Sequence, residues 1–167
     1  MFRKIFASLL FLSIPLTAES QEVAVEVTAG AGASFLFPEE YEHGLSAISG
    51  LGVMVHDTRY GSILRVSASQ TIWPFGDRFW LQNAVDYEGL ATIHGNVSRN
   101  LNGYLGIGPV LRNISYQEEK SIGFGIVIEG GYIVETPWNW LRLKSGNRFH
   151  VTSTGLDMFI TVGALLG

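Results

Sequence analysis

Nine ionisable side chains recur along this chain, each beside at least one apolar neighbour: Glu26, Arg65, Asp86, Glu88, Arg112, Glu129, Arg142, Lys144 and Arg148. Carboxylates and guanidiniums gathered in one place can do two things. They can hold one another as buried ion pairs, or they can line and gate a path for a solute. The histidines suggest less, because His43, His56, His94 and His150 show no metal-ligand spacing. No metal, cofactor or catalytic residue is expected. One segment nevertheless carries the ingredients of hydroxyl chemistry. Arg148-Phe149-His150-Val151-Thr152-Ser153-Thr154 sets a histidine two residues before a threonine, and a hydroxyl nucleophile needs an adjacent base and a third group to orient it. Asp157 is the only acid beyond it, and Ser153 falls on the opposite side of a strand.

The elements that must position these groups are strands. From Val23 to Phe35 every odd position is apolar, and the even positions carry Ala24, Glu26, Thr28, Gly30, Gly32 and Ser34. Successive side chains of a strand point to opposite faces. Breakers such as Phe37-Pro38, Asp57-Thr58-Arg59-Tyr60-Gly61 and Thr136-Pro137-Trp138-Asn139 divide the rest. The reading gives strands at about 22–36, 45–56, 62–72, 79–95, 104–116, 121–135, 140–152 and 156–166, with a bulge expected at Pro109.

Residues 1–20 differ from the rest. Arg3 and Lys4 precede an apolar stretch from Ile5 to Leu16, then Ala18 and Ser20 at a small-x-small site. This is the form of a secretory signal peptide, and its apolar core is too short for a spanning helix. The expected mature chain is one domain, residues 21–167, with 9 basic and 14 acidic side chains. Nucleic acid is therefore an unsuitable partner. With no cysteine, a disulfide scaffold or thiolate site is also excluded.

Two barrels share such alternation: a soluble one with its apolar face inward, and a membrane one with it outward. Charges and glycines share one face here, as a crowded narrow lumen requires. The other face is nearly free of charge, as lipid requires. Aromatic residues gather near strand ends, with Trp73, Phe75 and Phe79 expected in a girdle at one rim and Trp138 and Trp140 at the other. The fold expected is an all-β, eight-stranded antiparallel up-and-down transmembrane barrel, its lumen polar and filled, both ends at the periplasmic rim.

This organisation resembles the small outer-membrane barrels of the outer membrane protein A-like and W-like superfamily, over the whole mature chain. Stretches such as Tyr104-Leu105-Gly106-Ile107-Gly108-Pro109 are similar to that group's strand glycine patterns, although the chain ends Ala164-Leu165-Leu166-Gly167 without the usual terminal aromatic. The resemblance implies a bacterial outer membrane, contact with membrane lipid and lipopolysaccharide, and insertion by the outer-membrane assembly machinery, as a monomer. The loops around 37–44, 73–78, 117–120 and 153–155 are short, which favours a structural, membrane-integrity role over reception or adhesion. Passage of a small solute is the alternative. The segment from Arg148 to Leu156 also resembles the histidine-x-serine segment of lipid A deacylases, with Thr152 where that group has serine.

Two strand pairings place the charges. Joining Thr71 to Trp80 would set Arg65 opposite Asp86, and joining His94 to Tyr104 would set Asp86 opposite Arg112, with Glu88 beside them. Glu129 would lie diagonal to Lys144 and Arg148, and Glu26 would meet His56.

Overall fold

Alternation over eight runs of this length closes into a barrel in the computed structural model, which describes residues 21–36, 43–75, 78–116 and 119–167. The expected signal peptide lies outside the described residues, as do the side chains of Phe75 and Phe79. The strands are β1 (Glu22–Leu36), β2 (His43–His56), β3 (Tyr60–Phe75), β4 (Arg78–Ser98), β5 (Leu101–Tyr116), β6 (Glu119–Glu135), β7 (Leu141–Thr152) and β8 (Gly155–Leu166). Each pairs antiparallel with its sequence neighbours, and β1 pairs with β8 to close the wall. Closure removes the sheet edges that lipid could not satisfy.

The chain enters and leaves at the same end, the terminal rim, where the turns after β2, β4 and β6 also lie. At the opposite end, the loop rim, β3–β4, β5–β6 and β7–β8 are each joined across only two residues.

The greasy face points out. Val23, Leu45, Leu51, Ile107, Ile122 and Ile160 are exposed on the wall, while Glu26, Ser67, Asp86, Glu129 and Arg148 are fully buried within. That is the inverse of a soluble barrel and suits a lipid surround.

Four local readings are corrected, the first being that β6 and β7 set Arg148 directly opposite Glu129 and not diagonal to it. β3 and β4 pair Thr71 with Gln82 and Phe75 with Arg78, so the register lies two residues from the one expected and Arg65 faces Glu88 instead of Asp86. The strands run further toward the loop rim than Trp73-Pro74 suggested. A two-residue shift preserves the face each side chain takes, so the lumen set is unchanged. No bulge forms at Pro109. The β4–β5 register is the same on both sides of Gly108-Pro109, and the irregularity falls between Asn96 and Ser98. Finally, β1 and β2 place Glu22, and not Glu26, opposite His56.

Candidate functional site

The lumen is a stack of layers. Its central tier holds three carboxylates, Glu26, Glu88 and Glu129, against three cations, Arg65, Lys144 and Arg148, all buried. Glu129 is the hub. It accepts from Arg65 Nη1 at 2.7 Å, Arg148 Nε at 2.8 Å and the Tyr104 hydroxyl at 2.8 Å, with Lys144 Nζ at 2.5 Å. Arg65 also donates to Glu26 and Glu88, each at 3.1 Å, and Lys144 reaches Glu26 at 2.6 Å. The Ser67 hydroxyl donates to Glu88 at 2.7 Å. Equal numbers of opposite charges thus neutralise one another where no bulk water does, the condition under which buried ions persist.

Glycines make room for this tier. An ideal Cβ on Gly50 would stand 2.8 Å from Ser67 Oγ and 3.1 Å from Arg65 Cδ, and one on Gly146 would stand 2.6 Å from the Tyr104 hydroxyl. In a narrow barrel a long side chain crossing the lumen needs a bare backbone facing it.

Toward the loop rim lies a second tier. Arg112 grips Asp86 with two bonds, Nε to Oδ1 at 2.7 Å and Nη2 to Oδ2 at 2.8 Å, the bidentate geometry that suits guanidinium and carboxylate. The Nη1 of Arg112 also donates to Asp157. His150 joins the tiers: its Nδ1 lies 2.8 Å from Arg112 Nη2 and 3.2 Å from Asp86 Oδ2, and its Nε2 lies 3.6 Å from Glu88 Oε1. Above this, Ser34, Ser46 and Thr71 share a hydroxyl cluster with contacts of 2.6–3.3 Å.

Toward the terminal rim the lumen turns apolar. Ala24, Met54, Ile63, Leu90, Ile133 and Leu165 pack there as part of one buried cluster. The expected polar lumen is therefore polar only in part. No local pattern marks this floor, because Met54 and Ile63 share the glycine-and-charge face of their strands.

The remaining named residues fall elsewhere. Arg142 is outside the central tier; it binds Glu22 at 2.8 Å and His56 Nε2 at 3.0 Å at the terminal rim. Trp138 and Trp140 are exposed at that rim, their rings 6.5 Å apart. Trp73 does not stand in an outer girdle. Its ring is buried inside, donating Nε1–H to Gln82 at 2.8 Å. Parity gives the reason: Trp73 is in phase with Arg65, Ser67 and Thr71, the inward set. Tyr104, in phase with Arg112 on β5, points inward for the same reason. The Thr152 hydroxyl contacts Thr154 Oγ1 at 2.9 Å and Gly155 O at 3.1 Å, while His150 Nδ1 meets Arg112 and Asp86 and its buried Nε2 has no hydrogen-bond partner among the described residues. Both side chains are buried in the lumen.

Among the described residues, no group of three or more histidines or carboxylates could hold a metal ion. What the arrangement can do is cross-link the wall: side chains from β1, β3, β4, β5, β6 and β7 meet in one ionic tier, and β8 joins the second through Asp157.

No protein-family profile matches the chain, and no curated protein matches it. Solved structures do. Neisserial surface protein A superposes with a TM-score of 0.65 at 13% identity, over 89% of this chain and 99% of that one. Ail, the attachment invasion locus protein of Yersinia pestis, solved with the heparin analogue sucrose octasulfate, gives 0.50 at 13% identity over 87% of this chain and 98% of that one. At these identities the likeness is one of fold. It places the chain among small transmembrane β-barrels of eight antiparallel strands.

Proposed function

We propose that the protein is a closed structural barrel of a bacterial outer membrane, contributing to membrane integrity without passing solute. The observation that carries this reading is the double obstruction of the lumen. A neutral, mutually paired ionic tier fills the middle, and an apolar floor closes the terminal side. Either layer opposes ion flow, the first by occupying the cross-section and the second because a hydrophobic constriction excludes water.

The outer-membrane assignment is supported by the likeness in fold and by the export signal expected over residues 1–20. Membrane lipid and lipopolysaccharide are the surroundings its apolar wall suits, and the assembly machinery would insert it. Three of the four connections at the loop rim are only two residues long, which leaves little chain there to meet a macromolecular ligand.

Planar-bilayer recording tests the reading. The native protein should give no steady conductance, whereas a variant opened at both layers, Ile63→Ser with Arg65→Ser, should conduct. Steady conductance by the native barrel would instead establish solute passage. Hydrolysis of lipopolysaccharide acyl chains, lost in His150→Ala, would establish an enzyme.

A further inference from the structure

Four polar side chains stand in one unbroken row across the outer wall. Gln70 pairs in register with Asn83, Asn83 with Ser115, and Ser115 with Lys120, so the row crosses β3, β4, β5 and β6. All four are exposed, as is Asn113, two residues from Ser115 on the same face of β5. Gln70 Nε2 donates to Asn83 Oδ1 at 3.0 Å, which leaves the Asn83 amide N–H groups to donate elsewhere. Among the described residues no side-chain bond takes up Asn113, Ser115 or Lys120. Ser49, Ser145 and Asn147 are outward too, but none has an amide or a charge among its register partners.

The row is oblique. Strands of such a barrel tilt by about 35–45°, so a line across them climbs relative to the membrane. Ser115 and Lys120 lie one residue from the ends of β5 and β6 at the loop rim, whereas Gln70 and Asn83 lie five residues from the ends of β3 and β4. Between those amides and the rim stand Ile72 and Leu81, exposed and apolar. The charge is therefore at the surface and the amides are below it, at a depth where hydrocarbon offers the pair nothing beyond itself.

Further down the same strands the wall is hollowed. Leu51, Val53, Leu64, Val66 and Tyr87 line a groove of about 350 Å³. It has room where Gly89 pairs with Leu64, since a Cβ there would meet only Leu64 Cδ2, at 3.6 Å. Val66 and Tyr87 lie four residues from Gln70 and Asn83, which is about 13 Å at the rise of a strand and within reach of an acyl chain anchored at the row.

We infer that the row and the groove together bind one molecule of lipopolysaccharide from the outer leaflet. Lys120 meets a phosphate of its saccharide, as a cation at the rim suits an anion. Ser115, Asn113 and Asn83 meet the carbonyls and hydroxyls of its acyl linkages, and one tail fills the groove. A glycerophospholipid fits less well, because its two ester carbonyls sit close beneath a single phosphate. The row spans four strands, about 14 Å at the spacing of paired strands, and keeps offering donors below the surface. This site rests on the outer-membrane reading of the protein, which turns the loop rim outward, and is the same whether or not the lumen conducts.

Nanodiscs of phosphatidylcholine carrying either purified lipopolysaccharide or phosphatidylglycerol test the site in the full mature protein. Lipid kept after extraction into detergent is counted by native mass spectrometry. The native chain should keep one lipopolysaccharide and release phosphatidylglycerol. Lys120→Ala, Asn83→Leu and Gly89→Leu should each weaken retention by about five- to tenfold, the scale of one lost hydrogen bond. Asn147→Leu, at an outward amide off the row, should not change it, and all four variants should show the gel shift of a folded barrel. Equal retention of phosphatidylglycerol overturns the site, since the row is then an ordinary membrane boundary. So does lipopolysaccharide held undiminished by Lys120→Ala and Asn83→Leu, or lost equally from Asn147→Leu. A chain soluble in water without detergent would instead overturn the membrane reading beneath it.

Discussion

The central residue of the lumen is Glu129, whose two oxygens take the charges or protons of Arg65, Arg148, Lys144 and Tyr104. Removing one member of such a set leaves the others buried and unmatched. Glu129→Ala should therefore cost about 3–5 kcal/mol of unfolding free energy, read by urea titration in lipid vesicles. Glu129→Gln, which keeps the acceptor for Tyr104, should cost less. The same logic separates touching pairs from distant ones. Asp86→Ala combined with Arg112→Ala should destabilise clearly less than the sum of the singles, because the two share a bidentate contact. Arg65→Ala with Asp86→Ala should come closer to additive, since Arg65 binds Glu26, Glu88 and Glu129 instead. Strong coupling of Arg65 to Asp86 would contradict the β3–β4 register.

At the scale of elements, the β2–β3 turn is tied by one carboxylate. Asp57 accepts from the backbone N–H of Tyr60 at 2.7 Å and of Arg59 at 2.6 Å. These two bonds, Tyr60 first, hold its carboxyl below its ordinary value. A depressed value means that the tie is fully present above the usual carboxylate pKa, near about 4, and is lost as pH falls through the lower, folded one. The amide shifts of Arg59 and Tyr60 should thus titrate together below that value, and Asp57→Asn should abolish the titration. A midpoint at or above it would deny the bonds. The glycine cradle is likewise a property of an element. Gly146→Val on β7 should push the Tyr104 hydroxyl off Glu129 and destabilise the barrel, whereas Gly95→Val, which faces open space, should leave unfolding nearly unchanged.

For the whole molecule, closure makes every strand depend on its neighbours, and the ionic tier spans the lumen between strands that are not adjacent, as Arg65 on β3 and Glu129 on β6 show. Unfolding in detergent should accordingly be cooperative. The folded barrel should migrate differently on a gel before and after boiling, with a β-type circular dichroism spectrum. A water-soluble species without detergent would refute the membrane assignment, because the exposed wall is apolar through most of its length.

Sequence alone determined the strands, their number and the face each side chain takes, because a period of two is written locally and survives errors of register. The odd positions from Val23 to Phe35 suffice to put Glu26 inside, and the same parity puts Trp73 with Arg65 and Tyr104 with Arg112 on the inward face. The β4–β5 turn was short enough that pairing His94 with Tyr104, and so Asp86 with Arg112, followed from the turn residues. Only the tertiary structure decided which charges meet. Contacts such as Arg65 with Glu129, or Lys144 with Glu26, cross the lumen between strands far apart in the chain, and no local pattern encodes the barrel's stagger. The apolar floor has the same origin, since it is assembled from single residues on several strands and exists only once the sheet has closed.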